Sequence, residues 1–161
     1  MSAFSTLRKL EVIHMVSEED REEIFRRVAH CVPLLVDEDP SIRAGAAREI
    51  GEWSNRIYDM DCREFEVVMA EAVETVASLA TDDDPEVRKA VAYCFFELAW
   101  PDTGRLFQAL PRHEVMTPLI SLLGDDDEGV RRGAAWAFSS AAYGKIPVGR
   151  LLERAIEPLI G

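Results

Sequence analysis

A five-residue pattern occurs three times in this chain, as Asp39-Pro-Ser-Ile-Arg43, Asp84-Pro-Glu-Val-Arg88 and Asp127-Glu-Gly-Val-Arg131. Its arginines are 45 and then 43 residues apart. Each copy follows an apolar run and an acidic cluster, and each precedes an alanine-rich stretch. A repeat of about 40–47 residues made of paired helices predicts a solenoid, in which each unit buries its apolar face against its neighbours. The fold class expected is therefore all-α.

Local signals divide the chain into helices. Ser17 and Asp20 form a capping box that starts a helix running to about Val36. Asp39, followed by Pro40, opens the next helix, which continues to about Tyr58. Asp61 opens one that ends near Ala80. Asp84 and Pro85 open another, which stops near Trp100 because Pro101 follows. Pro111 begins a helix to Leu123, Asp127 begins one to about Gly144, and Pro147 begins the last. The domain is read as an N-terminal cap helix (1–16), three repeats (17–60, 61–104 and 105–145) and a C-terminal cap helix (146–161). The last helix has no inner partner, so it either caps the array or leaves an edge for another chain, and the cap is the expectation.

The second helix of each repeat carries the clearest periodicity. Ile42, Ala46, Ile50 and Trp53 recur as Val87, Val91, Phe95 and Leu98, and again as Val130, Ala134, Phe138 and Ala141. The spacing i, i+4, i+8, i+11 marks one helix face as core. Gly45, Ala90 and Gly133 align, which predicts close packing between these helices. The opposite stripe holds Ala44, Arg48, Glu52 and Asn55, then Lys89, Tyr93, Glu97 and Trp100, then Arg132, Trp136, Ser140 and Tyr143.

The three Asp-x-x-(Ile/Val)-Arg units, the Ala46-Ala47 and Ala134-Ala135 pairs, and Pro33 and Pro118 inside outer helices resemble the HEAT-repeat family over most of the chain. That resemblance implies that the inner helices line a concave surface. It also implies a ladder between neighbouring repeats made by the turn aspartates Asp39, Asp84 and Asp127 with Arg43, Arg88 and Arg131. The third unit departs from the pattern, with Glu128-Gly129 in place of Pro-x.

The chain's 30 acidic and 18 basic residues leave a net charge of −12, which repels a phosphate backbone and attracts basic proteins. Three scattered cysteines without a CxxC fit free thiols in a reducing compartment, and no run approaches membrane-spanning length, so a cytoplasmic protein is expected. His14, His30 and His113 have no metal-ligand spacing, and no nucleophile motif or phosphate loop occurs. No cofactor, metal or catalytic residue is expected. The partner-binding surface expected is Arg48, Lys89, Tyr93, Glu97, Trp100, Arg132, Trp136 and Tyr143, because aromatics and arginine dominate interface energetics. The acidic clusters at residues 37–39, 82–84 and 125–128 form a second candidate docking edge.

The reading is a non-enzymatic module that binds a basic protein, itself a monomer or weak homo-oligomer. A small immunity or inhibitor protein against a basic toxin or nuclease is the alternative. In another class, Val130-Arg-Arg-Gly-Ala-Ala-Trp136-Ala-Phe is similar to a stretch of HEAT-like DNA glycosylases, but the charge and Ser139-Ser140 argue against that activity. Tyr93 and Cys94 near the groove offer only a slight link to HEAT-like bilin lyases.

Overall fold

Ser17 begins the first of the described helices as the sequence requires. Its hydroxyl accepts from the Asp20 amide at 3.1 Å, and the Asp20 carboxylate accepts from the Ser17 amide at 3.3 Å. Helix α1 then spans Glu18–Leu34, and the chain turns over Leu35. The computed structural model describes residues 17–54, 63–99 and 112–143. The expected cap helices at 1–16 and 146–161 lie outside the described residues, as does Trp100.

Helix α2 spans Pro40–Ser54, α3 Arg63–Ser78, α4 Pro85–Leu98, α5 Arg112–Leu123 and α6 Glu128–Tyr143. A 3-10 turn, Leu79–Thr81, extends α3. Asp39, Asp84 and Asp127 open α2, α4 and α6 by accepting from the amides of Ser41 (2.8 Å), Glu86 (2.7 Å) and Val130 (3.1 Å). These bonds satisfy amides that lack an intrahelical partner. The outer helices α1 and α5 contain Pro33 and Pro118.

The helices form two layers, and the protein is an all-α solenoid. The inner helices α2, α4 and α6 pack in succession, while α1, α3 and α5 form the outer row. Val87, Val91, Phe95 and Leu98 of α4 are fully buried, as are Val130, Ala134 and Ala141 of α6. Each large side chain of this kind contributes about 1.5–3 kcal/mol by leaving water. The series on α2 departs from expectation at both ends. Ile42 is 39% exposed although Val87 and Val130 at the same register are buried, because no described repeat precedes it. Trp53 packs on the edge of the core beneath the Arg27 guanidinium, 5.9 Å from its ring centre.

The inner helices approach closely. A Cβ on Gly51 would lie 2.9 Å from the Cys94 Cα, and one on Gly133 would lie 3.1 Å from the Ala92 Cβ. Gly45, aligned with Gly133, meets nothing within 4 Å. Its small size serves no contact here, since the helix that would pack on it is absent from the described residues.

Candidate functional site

The acidic clusters and the repeat arginines organise the joints between repeats. Arg43 Nε and Nη2 donate to Asp82 Oδ2 and Oδ1 at 2.8 and 2.9 Å. Arg88 repeats this with Asp125 at 2.6 and 3.0 Å. The third nitrogen, Nη1, donates to two carbonyls of the arginine's own turn, Asp37 and Glu38 for Arg43 and Asp82 and Asp83 for Arg88. Such two-pronged, charge-assisted pairs fix orientation as well as adding stability.

The expected ladder therefore exists with a different acidic end. Asp84 and Asp127 face their own helix N-termini as caps. The rungs close on Asp82 and Asp125, two residues earlier, because only the start of the loop faces the preceding arginine. Arg131 binds the carbonyls of Asp125 and Asp126 and meets no carboxylate among the described residues. Asp82 and Asp125 share a signal with Asp37, since each is the first residue of its acidic cluster, and counting back from the caps would have found them. Of the ten carboxylates in the three acidic clusters, caps, turns and rungs engage Asp37, Asp39, Asp82, Asp84, Asp125 and Asp127, while Glu38, Asp83, Asp126 and Glu128 remain exposed.

A second line of charges runs along the inner helices. Arg48 lies 3.7 Å from Glu86, Glu86 holds Lys89 at 2.8 Å, and Lys89 reaches Asp127 at 3.4 Å. In the third turn Gly129 stands beside the Lys89 stem. A Cβ there would sit 2.7 Å from the Lys89 Cε, so glycine leaves room for the lysine stem to cross onto the next repeat.

These residues border an open groove of about 810 Å³ that also takes in Tyr93, Arg132 and Trp136. Trp136 is 60% exposed and Tyr93 37% exposed. Burial raises the Tyr93 hydroxyl to about 12, with a hydrogen bond to Glu97 adding to the shift, so it stays protonated as a donor. Five expected binding residues, Arg48, Lys89, Tyr93, Arg132 and Trp136, thus share one groove. Glu97 is half-buried beside Tyr93 and does not line it. Trp100 and the side chain of Tyr143 lie outside the described residues.

Two positions on the expected stripe are corrected. Ala44 and Ser140 are buried, because an inner helix is covered on its flanks by the neighbouring inner helices as well as by its outer partner. The free stripe is narrower than the face opposite the core. Cys94 is also away from the groove, fully buried against Gly51 with its thiol pushed upward by desolvation. Cys31 is buried likewise, at about 12. Among the described residues no three His, Cys, Asp or Glu side chains converge to hold a metal, and no helix is long and apolar enough to cross a membrane.

The sequence model for HEAT repeats matches residues 28–110, more than half of the chain. The chain belongs to the HEAT-repeat family. A model for armadillo/beta-catenin-like repeats matches residues 106–142 of this HEAT-repeat protein. No curated protein sequence matches it significantly. Among solved structures, an engineered protein determined by a structural-genomics consortium is 23% identical with a TM-score of 0.57, over 88% of this chain. The HEAT-repeat protein spans 63% of that engineered chain, and the likeness is one of fold. A computationally designed armadillo repeat protein for modular peptide recognition is 16% identical with a TM-score of 0.41, covering 86% of this chain and 83% of its own. HEAT and armadillo families are in general non-enzymatic protein-binding scaffolds.

Proposed function

We propose that this HEAT-repeat protein is a non-enzymatic module that grips a basic segment of another protein along its inner-helix groove. The observation that carries the reading is the pair Tyr93 and Trp136, both exposed and both lining one groove. Large exposed aromatics in a groove are the usual anchors of a binding surface.

The charge pattern supports a basic partner. Arg48 and Lys89 are already answered by Glu86 and Asp127, and the third cation of the groove, Arg132, is matched in number by Glu128, so the lining carries no surplus of positive charge. Glu128 is exposed at its rim without an ion-pair partner among the described residues. The chain as a whole carries a surplus of twelve negative charges, which speeds encounter with a cationic segment.

Selection from a display library of short random peptides tests this. The wild-type chain is expected to enrich sequences combining lysine or arginine with an apolar residue, and the Tyr93→Ala/Trp136→Ala chain to enrich none. Equal enrichment by both chains would remove the groove from the reading. Tight, salt-sensitive binding of duplex DNA would replace the protein partner with a nucleic acid.

A further inference from the structure

The two ends of the described array are complementary halves of the joint that holds its repeats together. At the C-terminal end, Arg131 Nη1 donates to the Asp125 and Asp126 carbonyls at 2.6 and 2.9 Å, the posture Arg43 and Arg88 adopt. Its remaining donors, which in those two arginines hold the next aspartate, face no carboxylate among the described residues. At the N-terminal end, Asp37 Oδ1 accepts the Asp39 amide at 2.9 Å, as Asp82 and Asp125 accept those of Asp84 and Asp127. Asp37 has no arginine rung among the described residues.

The helix faces beside these groups match in the same register. Inside the array, Ala92 of α4 meets Gly133 of α6. The residue aligned with Ala92 on α6 is Ala135, which is exposed, and the residue aligned with Gly133 on α2 is Gly45, which has open space around it. Around Gly45 lies a slot of about 320 Å³ bounded by Arg27, Glu49, Glu52 and Trp53. Ile42, at the edge of the same end, is 39% exposed while its internal counterparts Val87 and Val130 are buried.

We propose that these ends dock on each other in two copies of the chain, so that Arg131 of one copy grips Asp37 of the next while Ala135 meets Gly45. The occupant is a second copy because each end carries what the other lacks, at the spacing the internal joints already use. The contact is head-to-tail and so does not close on itself unless the rotation permits a ring. Glu49 and Glu52 stand where the internal seams have Cys94, Glu97, Ala137 and Ser140, so this seam is wetter and its association weaker than the internal packing.

Sedimentation velocity of the full 161-residue chain from about 10 µM to about 1 mM, the range of weak transient contacts, reads this directly. The wild-type mass is expected to rise above 18.1 kDa with concentration. Gly45→Glu and Ala135→Glu each spoil one end at an exposed position, and each alone is expected to remain monomeric while keeping the wild-type helical circular dichroism spectrum. Mixed in equal amounts, they retain one intact joint and are expected to form dimers and nothing larger. A wild-type chain that stays monomeric throughout would overturn the proposal. So would association that survives in either variant alone, or a mixture that remains monomeric. Asp37→Ala and Arg131→Ala give the same pattern through the rung instead of the seam, and complementation in neither pair rejects the joint.

Discussion

Arg88 on the second inner helix holds Asp125 on the third repeat's loop through two nitrogens, at 2.6 and 3.0 Å, with side chains 16% and 9% exposed. Arg88→Ala leaves the Asp125 carboxylate mostly buried without its counter-charge. The expected loss is about 2 kcal/mol in chemical denaturation, the scale of a charge-assisted bond whose partner is stranded. Arg131→Ala forfeits only carbonyl bonds and costs less. Equal losses for the two variants would show that the rung contributes nothing beyond bonds to the local turn.

The same pair makes stability depend on acid. Asp125 titrates below the ordinary carboxyl range, because the Arg88 bond outweighs the upward push of burial and the Asp127 amide adds to it. At Asp82 burial is the largest influence and pushes upward, but the Arg43 bond, the Asp84 amide and nearby arginine charge together hold the group down. A depressed folded value means that the contribution is fully present above the unfolded value of about 3.9 and is lost as pH falls through the folded value. The melting temperature is therefore expected to hold near neutrality and fall below about pH 4. Asp125→Asn is expected to start lower at pH 7 and to lose less between pH 5 and pH 3. Parallel curves for the two chains would exclude this carboxylate as an acid-sensitive group.

Helix order, inner and outer layers and the caps Asp39, Asp84 and Asp127 were legible because each follows from a local rule of periodicity or end chemistry. The rung partners Asp82 and Asp125 were not, since which carboxylate of three meets an arginine about 40 residues away depends on how the loop turns. Ala44 and Ser140 escaped for a related reason. A periodicity argument assigns a helix one buried face, whereas an inner helix of a stack has several. The groove residues Tyr93 and Trp136 were legible because long side chains clear those flanking contacts even where short ones do not.

Two tryptophans separate surface from core. Trp136→Ala removes a ring that is 60% exposed, so stability is expected to change by no more than about 0.5 kcal/mol. Trp53→Ala removes a ring packed on the core, stacked under Arg27 and donating to Glu49 at 3.2 Å. The expected cost is about 2–3 kcal/mol, less than a fully buried aromatic because the site is only half-enclosed. Urea titrations of both variants decide it, and a large loss at Trp136 would place that side chain in the core and take away the groove's main anchor.

Two glycines in α2 should respond to the same substitution with opposite signs. Gly51→Ala places a Cβ 2.9 Å from the Cys94 Cα, which is backbone and yields only if the α2–α4 seam opens. Overpacking of that kind costs about 1–3 kcal/mol. Gly45→Ala meets nothing within 4 Å and removes backbone freedom from a helix interior, so a gain of about 0.5–1 kcal/mol is expected. Thermal melts of the two variants beside the wild type give the answer at once. Destabilisation by Gly45→Ala would mean that its face of α2 is already covered, and that result would also close the slot on which head-to-tail docking depends.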